Sequence, residues 1–296
     1  MSLLACVPNV SEGRRRVVID ALADAVRTSQ ATLADVSSDS DHHRTVFTLI
    51  GTPGSLVDAM ESLAAVALET IDLRLHSGVH PRLGCLDVVP FVPLGGTDME
   101  VAIQAAVSFG RWLGEGAGLP VFLYGAASRR SELRVPTSLR KLGLGGVAAA
   151  VEEGSWSPDF GPSRVDPACG LTLVGARSVL IAFNVLLDTD QVEIARRVAR
   201  NVRESSGGLP GVQALGFFLD SRGLAQVSMN LLDPATTTLY DVVERVRREA
   251  RACGVALLSS EIVGLVPRAA IDEMRIAELG LDSFGREKVV ETYLDA

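Results

Sequence analysis

Apolar residues along this chain of 296 residues recur in strand-like and helix-like patterns, and the same succession of patterns occurs twice. This repeat limits the possible folds more than any other feature of the sequence. In the first half it predicts a strand, a helix, two strands, a helix and a closing strand. These segments are 3–7, 14–28, 32–36, 45–50, 55–73 and 85–92. Val17, Val18, Leu22 and Val26 form the expected apolar stripe of the first helix.

The second half predicts the same order of elements. Its segments are 179–187, 190–203, 212–219, 225–232, 239–253 and 255–263. The order βαββαβ is typical of the ferredoxin-like arrangement. We therefore expect an α+β protein with two tandem ferredoxin-like subdomains, 1–177 and 178–296, that form one compact unit.

An insertion of about residues 95–177 separates the two repeats. It contains a predicted amphipathic helix at 99–114, a strand at 121–124, and a loop rich in glycine and proline at 155–170. Exposed loops of this kind often carry binding groups. A further helical patch is expected after Pro267.

Charge and composition exclude several classes of protein. The net charge of −8 argues against nonspecific nucleic-acid binding, which requires a basic face. No apolar run reaches the roughly 18 residues of a membrane span, and the N-terminus lacks the basic region of a signal peptide. The four cysteines lie far apart without a CxxC pair, which favours small apolar roles in a reducing compartment. We expect a cytoplasmic protein.

All four histidines lie between residues 42 and 80. His76 and His80 have the spacing of a helical zinc site, but Gly78 and Pro81 disfavour a helix there. We therefore predict a loop without a metal. In that loop His80 can exchange a proton near neutral pH, and Arg82 can bind a carboxylate through two hydrogen bonds. A surface loop with a solvated histidine and arginine is the alternative.

Two other segments near the ends of predicted strands carry cations. Arg44 follows the polar run 39–43 and can present its charge to an anion, although the composition favours an exposed polar turn. Arg164 and Arg177 accompany Trp156 and Phe160, which suits a flat acidic ligand or simply anchors the loop.

Polar residues also alternate along one predicted strand of the second half. Gln226, Ser228 and Asn230 lie two residues apart and share one face of that strand. The face either binds a ligand or meets water.

Ten short motifs in collinear order resemble the formimidoyltransferase domain of glutamate formimidoyltransferases, including that of the bifunctional formimidoyltransferase-cyclodeaminase. They cover essentially the whole chain. The motifs are CVPNVSEG (6–13), RTVFT (44–48), HPRLG (80–84), DVVPFVP (87–93), PVFLYG (120–125), PDFGPS (158–163), TLVGAR (172–177), LIAFNV (180–185), LAQVSMNLLD (224–233) and VGLVP (263–267).

The resemblance implies transfer of the formimidoyl group from N-formimidoyl-L-glutamate to tetrahydrofolate, giving 5-formimidoyltetrahydrofolate and L-glutamate. It implies a homodimer that works in histidine degradation and one-carbon metabolism, with tetrahydrofolate as co-substrate and no metal. The catalytic histidine of the family maps to His80, as general acid and base. Its folate-binding stretch maps to Gly161, Pro162, Ser163, Arg164, Val165, Asp166, Pro167, Ala168, Cys169 and Gly170.

Further side chains are candidates for substrate binding. Arg44 and Arg82 would bind the glutamate carboxylates or the folate tail. Amide side chains would orient the amide and amidine groups; these are Asn9, Asn184, Gln226 and Asn230. Alternatives are a relative that uses a formyl donor, an amidine hydrolase, and a folate-binding protein without turnover.

The chain departs from the family pattern at four positions. Ser77 and Val79 stand where the family commonly has lysine and glutamate in His-Lys-Gly-Glu-His-Pro-Arg. Ser37 replaces the second aspartate of Asp-Val-Asp, and His43 replaces an asparagine. These positions lie close to the expected substrate pocket.

Overall fold

The computed structural model describes residues 2–135, 137–281 and 284–294, and the chain divides into two compact units at residue 178. The helices are α1 (Arg16–Arg27), α2 (Pro53–Thr70), α3 (Met99–Arg111), α4 (Thr137–Glu152), α5 (Val192–Val202) and α6 (Leu239–Arg251). The strands are β1 (Leu3–Cys6), β2 (Asn9–Val10), β3 (Thr32–Asp39), β4 (Arg44–Gly51), β5 (Leu86–Leu94), β6 (Val121–Gly125), β7 (Thr172–Ala176), β8 (Ile181–Leu187), β9 (Val212–Leu219), β10 (Leu224–Leu231) and β11 (Leu257–Val263).

The N-terminal unit is built on a sheet in which β1 and β2 form one interrupted strand. Both pair antiparallel with β4 on one side and with β5 on the other, and β3 pairs with β4. The interruption falls at Val7 and Pro8, since proline has no N–H for a ladder bond. It brings Asn9 between Val46 and Val88, on the two strands that supply the site.

The insertion extends this sheet with two parallel strands. β7 pairs with β5, and β6 pairs with β7. Alternate residues of β6 enter different cores: Val121 and Leu123 pack on the α1–α3 side, and Phe122 and Tyr124 pack with Leu139 of α4. Both faces of the extension are therefore covered, as parallel strands require.

The C-terminal unit has a four-stranded antiparallel sheet in the order β11-β8-β10-β9. Helices α5 and α6 cover one face, where Ala225, Val227 and Met229 of β10 lie in the core. The element order βαββαβ is the one predicted for both repeats, and the α+β class with two tandem subdomains is confirmed.

Some details differ from the sequence-based expectation. Val17 is 82% exposed rather than part of the α1 stripe, which instead buries Ile19, Leu22 and Val26. The insertion contains β7 and α4, neither of which was predicted, and α4 is broken at Gly143, where φ is +65°. The patch after Pro267 consists of 3-10 turns within the described residues. No described helix has the length and apolar character needed to cross a bilayer.

Candidate active site

Arg44 is the centre of a hydrogen-bonded cluster in the N-terminal unit. It is the first residue of β4, and all three guanidinium nitrogens have partners. Nε donates to Oδ1 of Asn9 at 2.9 Å, Nη1 lies 2.5 Å from Nδ1 of His80, and Nη2 donates to Oδ2 of Asp87 at 2.5 Å. Three directional bonds from one planar group fix its orientation.

Asp87 is the buried counter-charge of this cluster. Its Oδ1 accepts the backbone N–H of Leu83 at 2.7 Å, and its Oδ2 also accepts from Nη2 of Arg140 at 2.7 Å. Burial opposes ionisation of the carboxyl, but the charges of Arg140 and Arg44 outweigh it and hold the pKa of Asp87 well below its ordinary value. The cluster therefore carries two guanidinium charges and one carboxylate.

His80 is half-buried, and its Nδ1 atom has two partners with opposite requirements. The carbonyl oxygen of Pro81, 2.7 Å away, accepts only if Nδ1 is protonated, whereas Arg44 donates only to an unprotonated Nδ1. Burial and the charges of Arg44 and Arg140 keep the pKa of His80 well below its ordinary value. The imidazole is therefore neutral near pH 7.

The segment 76–84 is a loop, as predicted, and its own side chains hold it in place. Arg82 donates from Nη1 to Nε2 of His76 at 3.1 Å and from Nη2 to the carbonyl of His80 at 3.0 Å. A Cβ atom at Gly78 would lie 2.6 Å from Nη2 of Arg82 and 2.8 Å from the carbonyl of His42, so no larger residue fits there. Arg82, expected to bind a carboxylate, is engaged here in shaping the loop.

His43 and Glu12 form a second buried pair beside this loop. Nε2 of His43 lies 3.1 Å from Oε1 of Glu12, Nδ1 lies 2.7 Å from the carbonyl of Ser77, and the ring stacks on His76 with centroids 3.5 Å apart. His43 has a φ of +50°, a conformation that asparagine adopts readily. Asparagine would therefore suit this backbone, and histidine adds the link to Glu12.

The predicted folate loop is attached to the fold at both ends. Gly161 has a φ of +86°, and a Cβ there would meet the carbonyl of Leu119 at 2.2 Å. At the other end Gly170 bridges to Gly84, and Cys85 donates its N–H to the carbonyl of Cys169 at 2.9 Å. Residues 161–164, 166 and 167 are exposed between these attachments. The loop therefore ends against Gly84 and Cys85, at the C-terminal end of the segment 76–84, which we call the His80 loop.

The remaining candidates lie in the C-terminal unit. Gln226 and Asn230 share one face of β10 with Ser228, and Asn184 of β8 lies opposite Ser228. Asn184 donates to Oε1 of Glu261 at 2.8 Å, and Gln226 lies 3.5 Å from the same atom. Gln226 is 1% exposed, so this part of the face does not meet water.

The structure thus brings together some predicted residues and adds others. Asn9, Arg44 and His80 form one cluster with Asp87 and Arg140, which the sequence analysis did not select. A single carboxylate near the start of an otherwise apolar strand was a usable signal for Asp87. No such signal marked Arg140, because it lies in an insertion without clear periodicity.

Two family models describe the chain. The formiminotransferase domain, N-terminal subdomain, matches residues 3–177, and the formiminotransferase domain matches residues 182–282. A glutamate formimidoyltransferase of Streptococcus pyogenes serotype M1 is 38% identical over 294 residues, covering 99% of this chain and 98% of the relative. One from Thermoplasma acidophilum is 39% identical, covering 100% and 98%. The chain belongs to the formiminotransferase family.

Longer proteins of the formiminotransferase family also match. The formimidoyltransferase-cyclodeaminase of Sus scrofa is 39% identical over 321 residues, which cover 98% of this chain and 59% of that protein. In the described part of the formiminotransferase chain, no group of three or more His, Cys, Asp or Glu residues is arranged to hold a metal ion.

Proposed function

We propose that this enzyme transfers the formimidoyl group of N-formimidoyl-L-glutamate to tetrahydrofolate, with His80 as general acid and base. The observation that carries the proposal is the half-buried imidazole of His80, whose Nδ1 lies within hydrogen-bond distance of both Arg44 and the Pro81 carbonyl. Relatives of almost the same length, named glutamate formimidoyltransferase, support this reaction class.

The proton balance of the reaction suits a neutral imidazole with a low pKa. Nitrogen N5 of tetrahydrofolate attacks the formimidoyl carbon and loses a proton, and the bond from that carbon to the glutamate nitrogen breaks as this nitrogen gains one. In the tautomer that donates Nδ1–H to Pro81, Nε2 of His80 carries the lone pair that accepts the proton. Because its pKa is low, the resulting imidazolium readily returns the proton to glutamate. General acid–base catalysis of this kind contributes about 10²–10⁴-fold.

Tetrahydrofolate is assigned to the loop Gly161–Gly170. The loop exposes backbone and the Arg164 side chain between two tightly packed glycines, so it offers a shaped and accessible surface. Its last three residues contact the segments at Leu73 and Leu83–Cys85. A ligand bound to this loop would therefore lie on a segment that is attached to the end of the His80 loop.

The direct test is an assay of the purified chain with N-formimidoyl-L-glutamate and tetrahydrofolate, in which a folate-linked one-carbon product is measured together with released glutamate. His80→Ala is expected to reduce kcat by 10²–10⁴-fold, about the contribution of general acid–base catalysis, with an unchanged thermal midpoint. A folded His80→Ala protein with near-full transfer would remove His80 from the mechanism.

The same assay separates the other candidate activities. Glutamate release without folate would indicate an amidine hydrolase, and transfer from a formyl folate would indicate a different donor. Folate binding by calorimetry without turnover would indicate a binding protein.

We also propose that the enzyme is a cytoplasmic homodimer that uses no metal. The family resemblance supports these proposals. Light scattering of the purified chain tests the dimer, and unchanged turnover after dialysis against a chelator tests the absence of a metal requirement.

A further inference from the structure

One carboxylate oxygen of Asp87 is shared by two guanidinium groups from different elements. Arg44 reaches it from β4 at 2.5 Å, and Arg140 reaches it from α4 at 2.7 Å. The other oxygen is bound by the backbone N–H of Leu83, three residues after His80. Asp87 thus links the helix of the insertion, the start of β4 and the His80 loop.

The groups that face His80 come from five parts of the fold. Arg44 contacts Nδ1, while Arg140 and Asp87 act on the ring through the same cluster. The His42 ring lies 5.9 Å from the His80 ring between centroids, and Arg82 donates to the backbone carbonyl of His80. Of these, Arg140 has the most independent position, because it lies on a separate helix and bonds to Asp87 rather than to the histidine.

We propose that Asp87 and Arg140 are positioning residues for His80: together they orient the Arg44 guanidinium beside the imidazole and set the charge that the ring meets. The proposal rests on the proposed role of His80 as the proton-transfer group. Asp87 holds Nη2 of Arg44 while Asn9 holds Nε, and this leaves Nη1 directed at His80. Arg140 competes for the same oxygen, so it limits how much negative charge Asp87 presents to Arg44 and to the ring.

The two positioning residues have opposite charges, so their removal has opposite effects. Arg140→Gln removes a positive charge near His80, which makes protonation of the imidazole easier and moves its titration to higher pH. Asp87→Asn removes a negative charge and moves the titration to lower pH. Arg140→Lys keeps the charge and is expected to retain the wild-type titration. If Asp87 and Arg140 only stabilised the fold, the two variants would not shift the His80 titration in opposite directions.

The test is a titration of the His80 ring by NMR, with its signal assigned from its absence in His80→Ala, alongside the pH profile of kcat. Lys141→Gln is the matched control, since it removes one exposed positive charge from the neighbouring position of the same helix. We expect the His80 titration and the acid limb of kcat to move together in Arg140→Gln and to stay unchanged in Lys141→Gln.

An unchanged His80 titration in Arg140→Gln, or a shift of the same sign in Arg140→Gln and Asp87→Asn, would overturn the proposal. If Asp87→Asn does not fold, the comparison of Arg140→Gln with Arg140→Lys decides. The proposed function is tested separately. A His80→Ala variant with near-full activity would refute the catalytic role of His80, whereas the NMR titration measures the effect of Asp87 and Arg140 on the ring in either case.

Discussion

Nε2 of His43 lies 3.1 Å from Oε1 of Glu12, and both side chains are buried. The other ring nitrogen of His43 faces the Ser77 carbonyl, so both nitrogens meet acceptors. Burial nevertheless lowers the pKa of His43, and the charge of Arg14 adds to this effect. The pair, which lies next to the His80 loop, therefore makes a pH-dependent contribution to the stability of the folded state.

This relationship predicts the effect of His43→Asn. Since the folded state lowers the pKa of His43, the unfolded state binds the proton more tightly, and the wild type loses stability as pH falls through about 6.5. Asparagine tolerates the positive φ and does not titrate, so the variant lacks this loss. Thermal unfolding of both proteins at pH 7.5 and 5.5 measures how much stability each loses between the two pH values. An equal loss in wild type and His43→Asn would contradict the prediction.

Glu12→Gln is expected to reduce stability at neutral pH. Burial opposes ionisation, but the N–H groups of Arg15 and Arg14 and the Arg15 side chain lower the pKa of Glu12 from 4.5 to about 2. That difference corresponds to about 3 kcal/mol, present above pH 4.5 and lost as pH falls toward 2. Urea unfolding at pH 7 and pH 3 should show a large gap between variant and wild type at pH 7 and a smaller one at pH 3.

The control for Glu12 is Asp20→Asn. Asp20 forms an exposed pair with Arg16 on α1, and exposed pairs contribute little. Comparable losses at pH 7 in both variants would show that burial of Glu12 does not matter.

Arg44→Lys is expected to lower kcat/KM on the order of 10²-fold, because a lysine ammonium cannot reproduce three bonds from a planar fork and His80 is then misplaced. The structural basis is the set of partners Asn9, His80 and Asp87. Arg16→Lys, on the exposed face of α1, should retain wild-type kinetics. Wild-type kcat/KM in Arg44→Lys would show that charge alone suffices.

Two glycine variants test the attachment of the folate loop. Gly170 and Gly154 both have positive φ, near +75° and +77°, but only at Gly170 would a Cβ strike backbone, 2.1 Å from the Leu83 carbonyl. Gly154→Ala should cost about 1 kcal/mol from the conformation alone. Gly170→Ala should cost more and raise the KM for tetrahydrofolate. Equal losses of stability, with unchanged KM, would contradict a folate role for this end of the loop.

Cys169 is expected to react first with iodoacetamide. The hydrogen bond from Cys85 lowers the pKa of the Cys169 thiol to about 7, and its side chain is partly exposed, whereas Cys6 and Cys85 are buried. This differs from the purely apolar role expected from sequence. Peptide mapping after brief labelling at pH 7.5 should place the first adduct on Cys169, and tetrahydrofolate should slow it. Cys169→Ser should abolish the fast phase, and Cys253→Ser should leave it intact.

Periodicity located the framework of the fold. The strand at 212–219 coincides with β9, and most other predicted elements differ from the observed ones by a few residues at their ends. Their apolar residues alternate because one face of each sheet packs on helices. The insertion was harder: β7 is buried throughout and α4 is interrupted at Gly143, so neither shows a clean period.

The candidate site shows the same division. His80, Arg44 and Asn9 stand in recognisable motifs, whereas the direction of their hydrogen bonds depends on partners 35 to 43 residues away. Local sequence also suggested that Arg82 was available for substrate, yet its guanidinium is used to hold the loop around Gly78.

By itself, the amino-acid sequence determined the α+β class, the repeated order of elements and the formiminotransferase family, because these depend on local periodicity and on motifs that lie in one stretch of chain. Only the tertiary structure decided that Asp87 binds both Arg44 and Arg140 and that Glu12 lies beside His43. Charge interactions act through space, and folding brings together carboxylates and guanidiniums whose separation along the chain follows no period.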